Sequence, residues 1–235
     1  MKTFEVILFF GKPAAGKSEV IDYLKKVPPE ERIRKYYVGE FSVLDDFILI
    51  WKKGEEDDIL EELGRKRLYT KRHPTGYLVT RRFLYRVLTK ELSAAYKKME
   101  VEKDKTVFIE FARGGTDAYR ASLALLDEGI LQKAAILHIK CSYKEVMRKN
   151  LRRYKPGEKE SILNHSVPER VMRRYKTDDW KKLTREDPEF ITIKDIKIPY
   201  ADLVNEPEIT DKPEVLGNEL EKVLTRLKIS YEKTH

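Results

Sequence analysis

The sequence predicts an α/β fold built on a parallel sheet, and three features of the 235-residue chain indicate it. The segment Phe4–Phe10, apolar except for Glu5, has the pattern of a strand buried on both faces. Two similar runs follow at Thr106–Phe111 and Ala134–Cys141. Segments with helical spacing of apolar residues separate these runs, and such alternation is typical of a parallel sheet.

The remaining elements are predicted from apolar spacing and from the positions of proline and glycine. The predicted helices are Ser18–Lys26, 43–63, 80–101, Asp117–Leu126, Tyr143–Tyr154, a segment from Pro168 to about Thr184, and a last helix that begins at Pro213. The further strands are Tyr36–Phe41 and one or two strands within Ile191–Val204. The 80–101 helix should bury one apolar side that includes Phe83. Residues 155–166 are polar, contain Pro156-Gly157, and are predicted to form a mobile loop.

Composition excludes several classes of protein. The single cysteine, Cys141, excludes a disulfide framework and a cysteine-based zinc site. No apolar run approaches the ~18 residues of a membrane span or the length of a signal-peptide core, so we expect a cytoplasmic protein with no membrane partner. The net charge of +8 favours anionic partners such as nucleotides or nucleic acid. One glutamine and four asparagines beside abundant Lys and Glu are typical of a thermophile's composition.

The strongest motif is Gly11-Lys12-Pro13-Ala14-Ala15-Gly16-Lys17-Ser18, which follows the first predicted strand and opens the first predicted helix. Its pattern, G-x-x-x-x-G-K-[ST], is that of a phosphate-binding loop. The glycines let the backbone curl so that successive N–H groups point at a β-phosphate, and the helix adds its positive N-terminal end. We expect Lys17 to reach the β/γ oxygens of ATP and the Ser18 hydroxyl to ligate Mg²⁺.

Gly11-x-Pro13-x-x-Gly16-Lys17-Ser18 near the N-terminus resembles the P-loop kinases related to adenylate kinase and polynucleotide kinase. The resemblance covers most of the chain in element order. It implies a three-layer α/β/α P-loop NTPase fold, with a five-stranded parallel sheet of order 2-3-1-4-5 and a helical lid. It also implies one domain over 1–235, with an acceptor-side insertion at about 42–104 and a lid at about 148–175. Ala14-Ala15 replaces a glycine of adenylate kinases, so the resemblance does not specify that enzyme.

A carboxylate, Glu110, stands at the end of the predicted strand Thr106–Phe111. In a P-loop sheet the strand beside the first ends level with the magnesium ion, so we expect Glu110 to hold Mg²⁺ through a water molecule. Arg113 is similar in position to the family's arginine that binds the acceptor's anionic group, and a guanidinium binds oxyanions bidentately. A structural salt bridge between Glu110 and Arg113 is the alternative.

Arg148 and Arg152 are four residues apart on the predicted helix after the fourth strand, so both point to one face. The resemblance implies that one arginine stacks on the base and the other contacts the phosphates, and we expect both to be catalytic. His165–Arg174 resembles the lid-return segment of polynucleotide-kinase-like enzymes, whose arginines face the nucleotide. A solvated basic helix is the alternative for both sets of arginines.

Residues after the second strand are expected to lie over the acceptor pocket, because they do so in this family. A hydroxyl acceptor needs a carboxylate to take its proton. The candidates are Asp45 first, Asp46 second, and third Glu40, which we predict ends the second strand. The alternative for these acids is helix capping, with Ser42 as the N-cap residue.

Arg65–Arg86 contains eight Lys and Arg residues, no acid, and interleaved aromatic residues. Such a stretch could bind an acceptor phosphate, a base or a nucleic-acid backbone. It could equally form a basic face that balances the acidic Glu55–Glu62. The sequence leaves these two interpretations open.

Together these features predict an ATP-dependent phosphotransferase that moves the γ-phosphate to a small-molecule acceptor resembling a nucleoside or nucleotide. Two alternatives remain: a kinase acting on the 5′-hydroxyl of RNA or DNA, and a non-catalytic nucleotide-binding regulator. The chain carries no separate RNA-binding module, which disfavours the first alternative. The lid arginines disfavour the second, because a binder has no transition-state charge to stabilise.

Overall fold

A computed structural model describes residues 2–74, 76–99, 105–116, 118–153 and 166–235. The strands are β1 Val6–Phe10, β2 Glu40–Asp45, β3 Thr70–His73, β4 Gly76–Val79, β5 Lys105–Glu110, β6 Ala134–Lys140, β7 Phe190–Ile193 and β8 Ile196–Val204. The helices are α1 Lys17–Lys26, α2 Pro29–Tyr36, α3 Asp46–Glu62, α4 Phe83–Lys98, α5 Ala118–Leu125, α6 Glu128–Leu131, α7 Tyr143–Arg153, α8 Glu169–Met172, α9 Trp180–Leu183 and α10 Pro213–Glu232. A single 3₁₀ turn, Arg173–Tyr175, follows α8.

The central sheet has the strand order β2-β5-β1-β6-β8-β7. Its first five strands are parallel and confirm the predicted order 2-3-1-4-5. The sheet differs from the prediction by a sixth strand, β7, which pairs antiparallel with β8. Lys194 and Asp195 join these two strands with positive φ angles of 50° and 64°, which is the geometry of a tight hairpin turn. Strands β3 and β4 form a separate two-stranded hairpin.

Two apolar layers cover the two faces of the sheet. Every residue of β1 is buried, and alternate side chains enter opposite layers. Ile7 and Phe9 pack with residues of α1 and α10, whereas Val6, Leu8 and Phe10 pack with residues of α4, α5 and α6. The result is the predicted α/β/α arrangement, which brings the carboxyl ends of β1, β2 and β5 to one edge.

The region before the second strand differs from the prediction. Tyr36 ends helix α2 instead of beginning a strand, and its hydroxyl donates to the Gly217 carbonyl on α10 at 3.4 Å. Tyr37 then adopts a left-handed conformation that stops the helix. Strand β2 therefore begins only at Glu40 and runs through residues predicted to be helical. Because β2 begins four residues later than predicted, Asp45 and not Glu40 lies at its carboxyl end.

The helix predicted from Pro168 to about Thr184 is also wrong, because α8, the 3₁₀ turn and α9 replace it. The two acids before α9 contact other elements. Asp178 pairs with Lys12 at 2.7 Å, and the Asp179 carboxylate accepts hydrogen bonds from the backbone of the first turn of α5. On α4, Phe83 is 65% exposed and does not join the buried side. Of the loop predicted at 155–166, residues 155–165, with His165, lie outside the described residues. Within the described ranges, no helix has the length and apolar character needed to span a bilayer.

Candidate active site

The segment between β1 and α1 has the backbone of a phosphate-binding loop. Gly11, Ala14 and Gly16 have positive φ angles of 150°, 60° and 113°, and such a sequence of conformations turns N–H groups toward one concave side. At Gly16 a side chain is excluded, because a Cβ would lie 2.4 Å from the Asn205 amide nitrogen. Asn205 also donates to the Ala15 carbonyl at 2.7 Å. The loop is therefore shaped both by its own glycines and by a residue that follows β8.

Lys17 lies at the centre of this loop with its side chain 5% exposed. Its ammonium group donates to the carbonyls of Gly11 and Lys12 at 3.3 and 3.2 Å. The Glu110 carboxylate is 3.7 Å away. A cation held in this position faces the phosphates of any nucleotide bound in the loop.

Ser18 and Glu110 bring together the two oxygen donors predicted for magnesium. The Ser18 hydroxyl lies 3.4 and 3.5 Å from the two carboxylate oxygens of Glu110. Among the described residues there is no group of three or more His, Cys, Asp or Glu that could hold a metal ion. Mg²⁺ commonly takes only one or two protein oxygens and completes its shell with phosphates and water. The pair therefore fits a magnesium ion that arrives with a nucleotide.

Asp45 lies beside Glu110 at the carboxyl ends of β2 and β5, where the two residues are register partners. One Asp45 carboxylate oxygen accepts a hydrogen bond from the Phe47 backbone N–H at 2.8 Å and so caps α3. Ser42, the predicted cap, lies inside β2 instead. Burial, with additional repulsion from Glu110 and Asp46, raises the pKa of Asp45 well above its usual range. Burial likewise raises the pKa of Glu110, although Lys17 opposes the shift.

Arg113 pairs with Asp46 and does not form the alternative salt bridge with Glu110. The guanidinium is buried and also donates to Ser122 at 2.8 Å, to the Ala112 carbonyl at 2.9 Å and to Thr89 at 3.2 Å. Four of its five N–H groups are thus engaged by the protein. This arrangement leaves Arg113 little capacity to bind the acceptor anion that the sequence predicts for it.

Glu40 lies at the opposite end of β2 from the site, so the prediction that it ends the strand is wrong. Five strand steps of ~3.3 Å place it about 16 Å from Asp45. Its side chain is 78% exposed, and its nearest cation is Lys105 at 3.8 Å. Glu40 therefore cannot contact an acceptor bound beside Asp45.

Arg148 and Arg152 share one helical face, as predicted, but that face is turned toward Glu208. Each guanidinium lies 2.9 Å from this carboxylate, and both side chains are at least half exposed. Arg153, the next residue, lines the cavity in front of the loop and pairs with Glu19 at 2.7 Å. Successive residues of an α-helix point about 100° apart. Arg153 therefore faces the cavity, whereas Arg152, one residue earlier, faces Glu208.

Arg174 lines the same cavity, whereas Arg173 points outward and pairs with Glu169 at 2.8 Å. Of the three lid-return arginines predicted to face the nucleotide, only Arg174 lines the cavity, whereas Arg173 and the exposed Arg170 do not. The cavity has a volume of about 160 Å³ and is lined by residues of the phosphate loop and by Asp45, Asp46 and Glu110.

An aromatic wall also lines the cavity: Tyr77 and Tyr85 belong to the stretch Arg65–Arg86 that the sequence offered as a possible base-binding segment, whereas sequence reasoning missed Phe47, Trp51 and Tyr175. The wall consists of aromatic side chains from α3, β4, α4 and the 3₁₀ turn that line the cavity: Phe47, Trp51, Tyr77, Tyr85 and Tyr175. The rings of Trp51 and Tyr77 meet edge to face, with centroids 5.1 Å apart. The helical spacing of Phe47 and Trp51 was the available signal, but such spacing alone does not tell a core contact from a binding wall.

The Asp57 carboxylate attaches the β3–β4 hairpin to α3. It accepts backbone hydrogen bonds from Leu68, Tyr69 and Thr70, and one from the Thr70 hydroxyl, at distances between 2.6 and 3.3 Å. Burial alone would raise the pKa of Asp57, but these hydrogen bonds together outweigh it and lower the pKa. Gly54 permits the close packing, because a Cβ there would lie 2.2 Å from the Tyr77 ring.

The basic stretch Arg65–Arg86 divides into two parts. In its first half, Arg67 and Arg72 pair with Asp58 and Glu61 of α3, which is the charge-balancing arrangement. In its second half, Arg82 and Arg86 lie at the start of α4, away from those acids. The charge-balancing interpretation is therefore confirmed for the first half, whereas ligand binding by the second half stays a prediction.

No family model matches the chain, and no curated protein is similar to it in sequence. Its structure is similar to that of Kti12 from Chaetomium thermophilum in complex with ADP-AlF3, with 13% identity, 96% of this chain and 98% of that chain covered, and a TM-score of 0.52. A gluconokinase from Sinorhizobium meliloti 1021 aligns over 100% of both chains with 13% identity and a TM-score of 0.49. At these identities the likeness is one of fold. With its phosphate-loop sequence and the strand order 2-3-1-4-5, this chain has the fold of the P-loop kinase superfamily.

Proposed function

We propose that the protein transfers the γ-phosphate of ATP to a hydroxyl group of a small acceptor that carries a planar, nucleoside-like ring. One observation carries the proposal: Asp45 lies beside Glu110 at the edge of the phosphate loop and faces a cavity whose far wall is aromatic. A nucleotide-binding regulator has no need of a second carboxylate at this point. A phosphotransferase needs one to receive the acceptor's proton.

On the donor side, the loop N–H groups and Lys17 bind the phosphates of ATP, and Ser18 with Glu110 holds Mg²⁺. When bound, the ion neutralises charge on the β- and γ-phosphate oxygens. Arg153 and Arg174 line the cavity in which the γ-phosphate would lie. Among the described arginines, these two have guanidinium groups suited to stabilise the charge that spreads over the transferring phosphoryl group.

On the acceptor side, Asp45 orients the hydroxyl. As the new P–O bond forms and the bond to ADP breaks, the hydroxyl proton moves to an Asp45 carboxylate oxygen. Burial, with repulsion from Glu110 and Asp46, raises the pKa of Asp45 to about 8, so its ionised form is a strong proton acceptor and becomes more abundant as the pH rises toward that value. A phosphate acceptor beside Asp45 is disfavoured, because Arg113 is already paired with Asp46 and its guanidinium is not free to bind it there.

The test measures ADP formation from Mg²⁺·ATP in the presence of two acceptor panels, one of nucleosides and other ring-bearing alcohols and one of nucleoside monophosphates. We expect stimulation by members of the first panel and a phosphomonoester product. Asp45→Asn keeps the side-chain size but removes the base, so kcat with the best acceptor should fall by about 10²–10⁴-fold.

Glu40→Gln provides the matched control, since it removes a carboxylate from the other end of the same strand. Its kcat should equal that of the parent. Nucleoside diphosphates formed from the second panel would replace the hydroxyl acceptor with a phosphate acceptor. A chain that neither binds Mg²⁺·ATP nor releases ADP with any acceptor would contradict the proposal entirely.

A further inference from the structure

A second cavity, of about 520 Å³, adjoins the first. Tyr85, Ala112, Arg174 and Tyr175 line both, so they form a shared partition. On its far side the second cavity is bordered by the start of α4 and by the loop between β5 and α5. We call it the arginine cavity, after Arg82, Arg86 and Arg174, which line it.

The charge of the arginine cavity is uncompensated among the residues that the structure describes. Arg82 and Arg86 are four residues apart at the start of α4 and therefore lie on one side of the helix, while Arg174 approaches from the 3₁₀ turn. No described carboxylate lies within ion-pair distance of these three, and none of the described lining residues is acidic. Arg113, which also lines the cavity, is neutralised by Asp46.

Phe83 adds an exposed aromatic surface to the same cavity. It is 65% exposed, whereas Leu84 beside it and Leu88 one turn later are buried. An aromatic ring next to unpaired guanidinium groups is the combination that binds a nucleotide, since the ring stacks on a base while arginine binds phosphate.

We propose that the arginine cavity binds a phosphate group carried by the acceptor, while the acceptor's hydroxyl lies beside Asp45. This inference rests on the proposed function, whose acceptor site is the first cavity. Arginine forks bind phosphate oxygens bidentately, and three of them supply more charge than a single carboxylate needs. The two cavities are adjacent, because Tyr85, Arg174 and Tyr175 line both, and one acceptor that reaches both would extend past these side chains.

The first experiment titrates inorganic phosphate calorimetrically into the full chain, with the donor site filled by Mg²⁺ and a non-hydrolysable ATP analogue. Filling that site prevents the phosphate loop from binding the probe. The double variant Arg82→Gln/Arg86→Gln should raise the Kd for phosphate by about tenfold or more. Loss of even one charge-assisted hydrogen bond is expected to change a Kd by about this factor.

The matched control is Arg34→Gln/Arg226→Gln, which removes the same charge from exposed positions on α2 and α10. It should bind phosphate as the parent does. Arg174→Gln tests the third arginine from a different element and should also weaken binding. Equal Kd values in the two double variants, or no phosphate binding by the parent, would overturn the inference.

Failure of the proposed function is distinguishable from failure of this inference. If the ATP analogue does not bind, the proposed function fails, and the phosphate titration is repeated in Lys17→Ala, whose loop no longer competes for the probe. Phosphate binding that still depends on Arg82 and Arg86 would then support the cavity alone. Normal analogue binding with no effect of these arginines would reject the cavity alone.

A second experiment distinguishes the sources of the phosphate by comparing adenosine, adenosine 3′-monophosphate and a 5′-hydroxyl RNA tetranucleotide. The monophosphate should bind more tightly than adenosine, and Arg82→Gln/Arg86→Gln should remove that advantage. Tighter binding of the tetranucleotide, with a steep loss of affinity in salt, would identify a phosphodiester chain. Equal affinity of monophosphate and tetranucleotide would identify a single phosphate, and affinity for both no better than for adenosine would contradict the inference.

Discussion

The phosphate loop consists of eight consecutive residues supported by Asn205, whereas the aromatic wall of the same cavity is assembled from α3, the β3–β4 hairpin, α4 and the 3₁₀ turn. We expect the loop to bind phosphate through backbone N–H groups, although the positive φ angle of Ala14 and the burial of Ala15 limit the side chains accepted there. The wall consists of aromatic side chains, of which Tyr77 lies on the hairpin that the Asp57 hydrogen bonds attach to α3. The proposed donor side is thus encoded mainly by one local segment, while the proposed acceptor side depends on contacts between distant segments.

This difference leads us to expect that donor-side substitutions abolish chemistry without disturbing the fold, and that acceptor-side substitutions alter stability and acceptor binding together. Substitutions on each side test whether the two behaviours separate.

The largest effect is expected for Lys17→Ala, which removes the cation at the phosphate loop. Turnover should fall by at least about 10³-fold, because this charge stabilises the transferring phosphoryl group. Steady-state ADP formation and a thermal melt measure the two expected outcomes, lost activity and retained fold. Lys26→Ala, at an exposed position on the same helix, is the control. Parental turnover by Lys17→Ala would show that the loop is not the donor site.

Arg153→Ala is expected to lower kcat by about 10²-fold, as loss of one transition-state donor does. Arg152→Ala should change kcat little, because Arg152 pairs with Glu208 outside the cavity. Comparing kcat for this neighbouring pair therefore tests the orientation of α7. The reverse result would mean that substrate binding turns Arg152 inward, as the sequence predicts.

Gly54→Ala should destabilise the protein by about 1–3 kcal/mol, because an added methyl group overpacks the Tyr77 contact. At most helical positions the same change stabilises. Urea unfolding measures the loss, and titrations with acceptor and with the ATP analogue should show weaker acceptor binding and unchanged donor binding. Lys52→Ala, exposed two residues earlier, should affect neither. Equal weakening of both ligands would show that the two sides are not separable.

A smaller effect is expected from acid. The folded-state pKa of Asp57 lies below the unfolded value of 3.8, so its stabilisation is complete above that value and is lost as pH falls through the folded pKa. Asp57→Asn places a donor against three backbone donors and should destabilise the protein by about 1–3 kcal/mol at neutral pH. Unfolding free energies measured from pH 7 downward should converge for parent and variant below pH 3.8. If the difference in unfolding free energy between parent and variant stays constant as the pH falls, the stabilisation comes from packing and not from the charge of Asp57.

The fold was largely predictable because β1, β5 and β6 are mostly apolar and buried, a pattern typical of the strands of a parallel sheet. The prediction of β2 failed for a specific reason. Tyr36 and Val38 are buried, as residues of a strand would be, but tertiary packing next to the end of a helix buries them. That error placed Glu40 at the carboxyl end of the strand, where Asp45, already the first candidate, lies instead. The geometry at Asp45 and Lys17 follows from strand ends and a local motif, whereas the choice between Arg152 and Arg153 depends on how α7 packs.

Asn205 gives the phosphate loop a dependence on the far end of the chain. Its amide donates to Ala15 and to Thr210, and it occupies the space that a side chain at Gly16 would fill. A fragment that stops before residue 205 would keep the complete loop sequence and lose the group that holds its curvature. Conversely, a nucleotide in the loop should slow amide hydrogen exchange at Ile209 and Thr210, whose backbone N–H groups donate to the same asparagine.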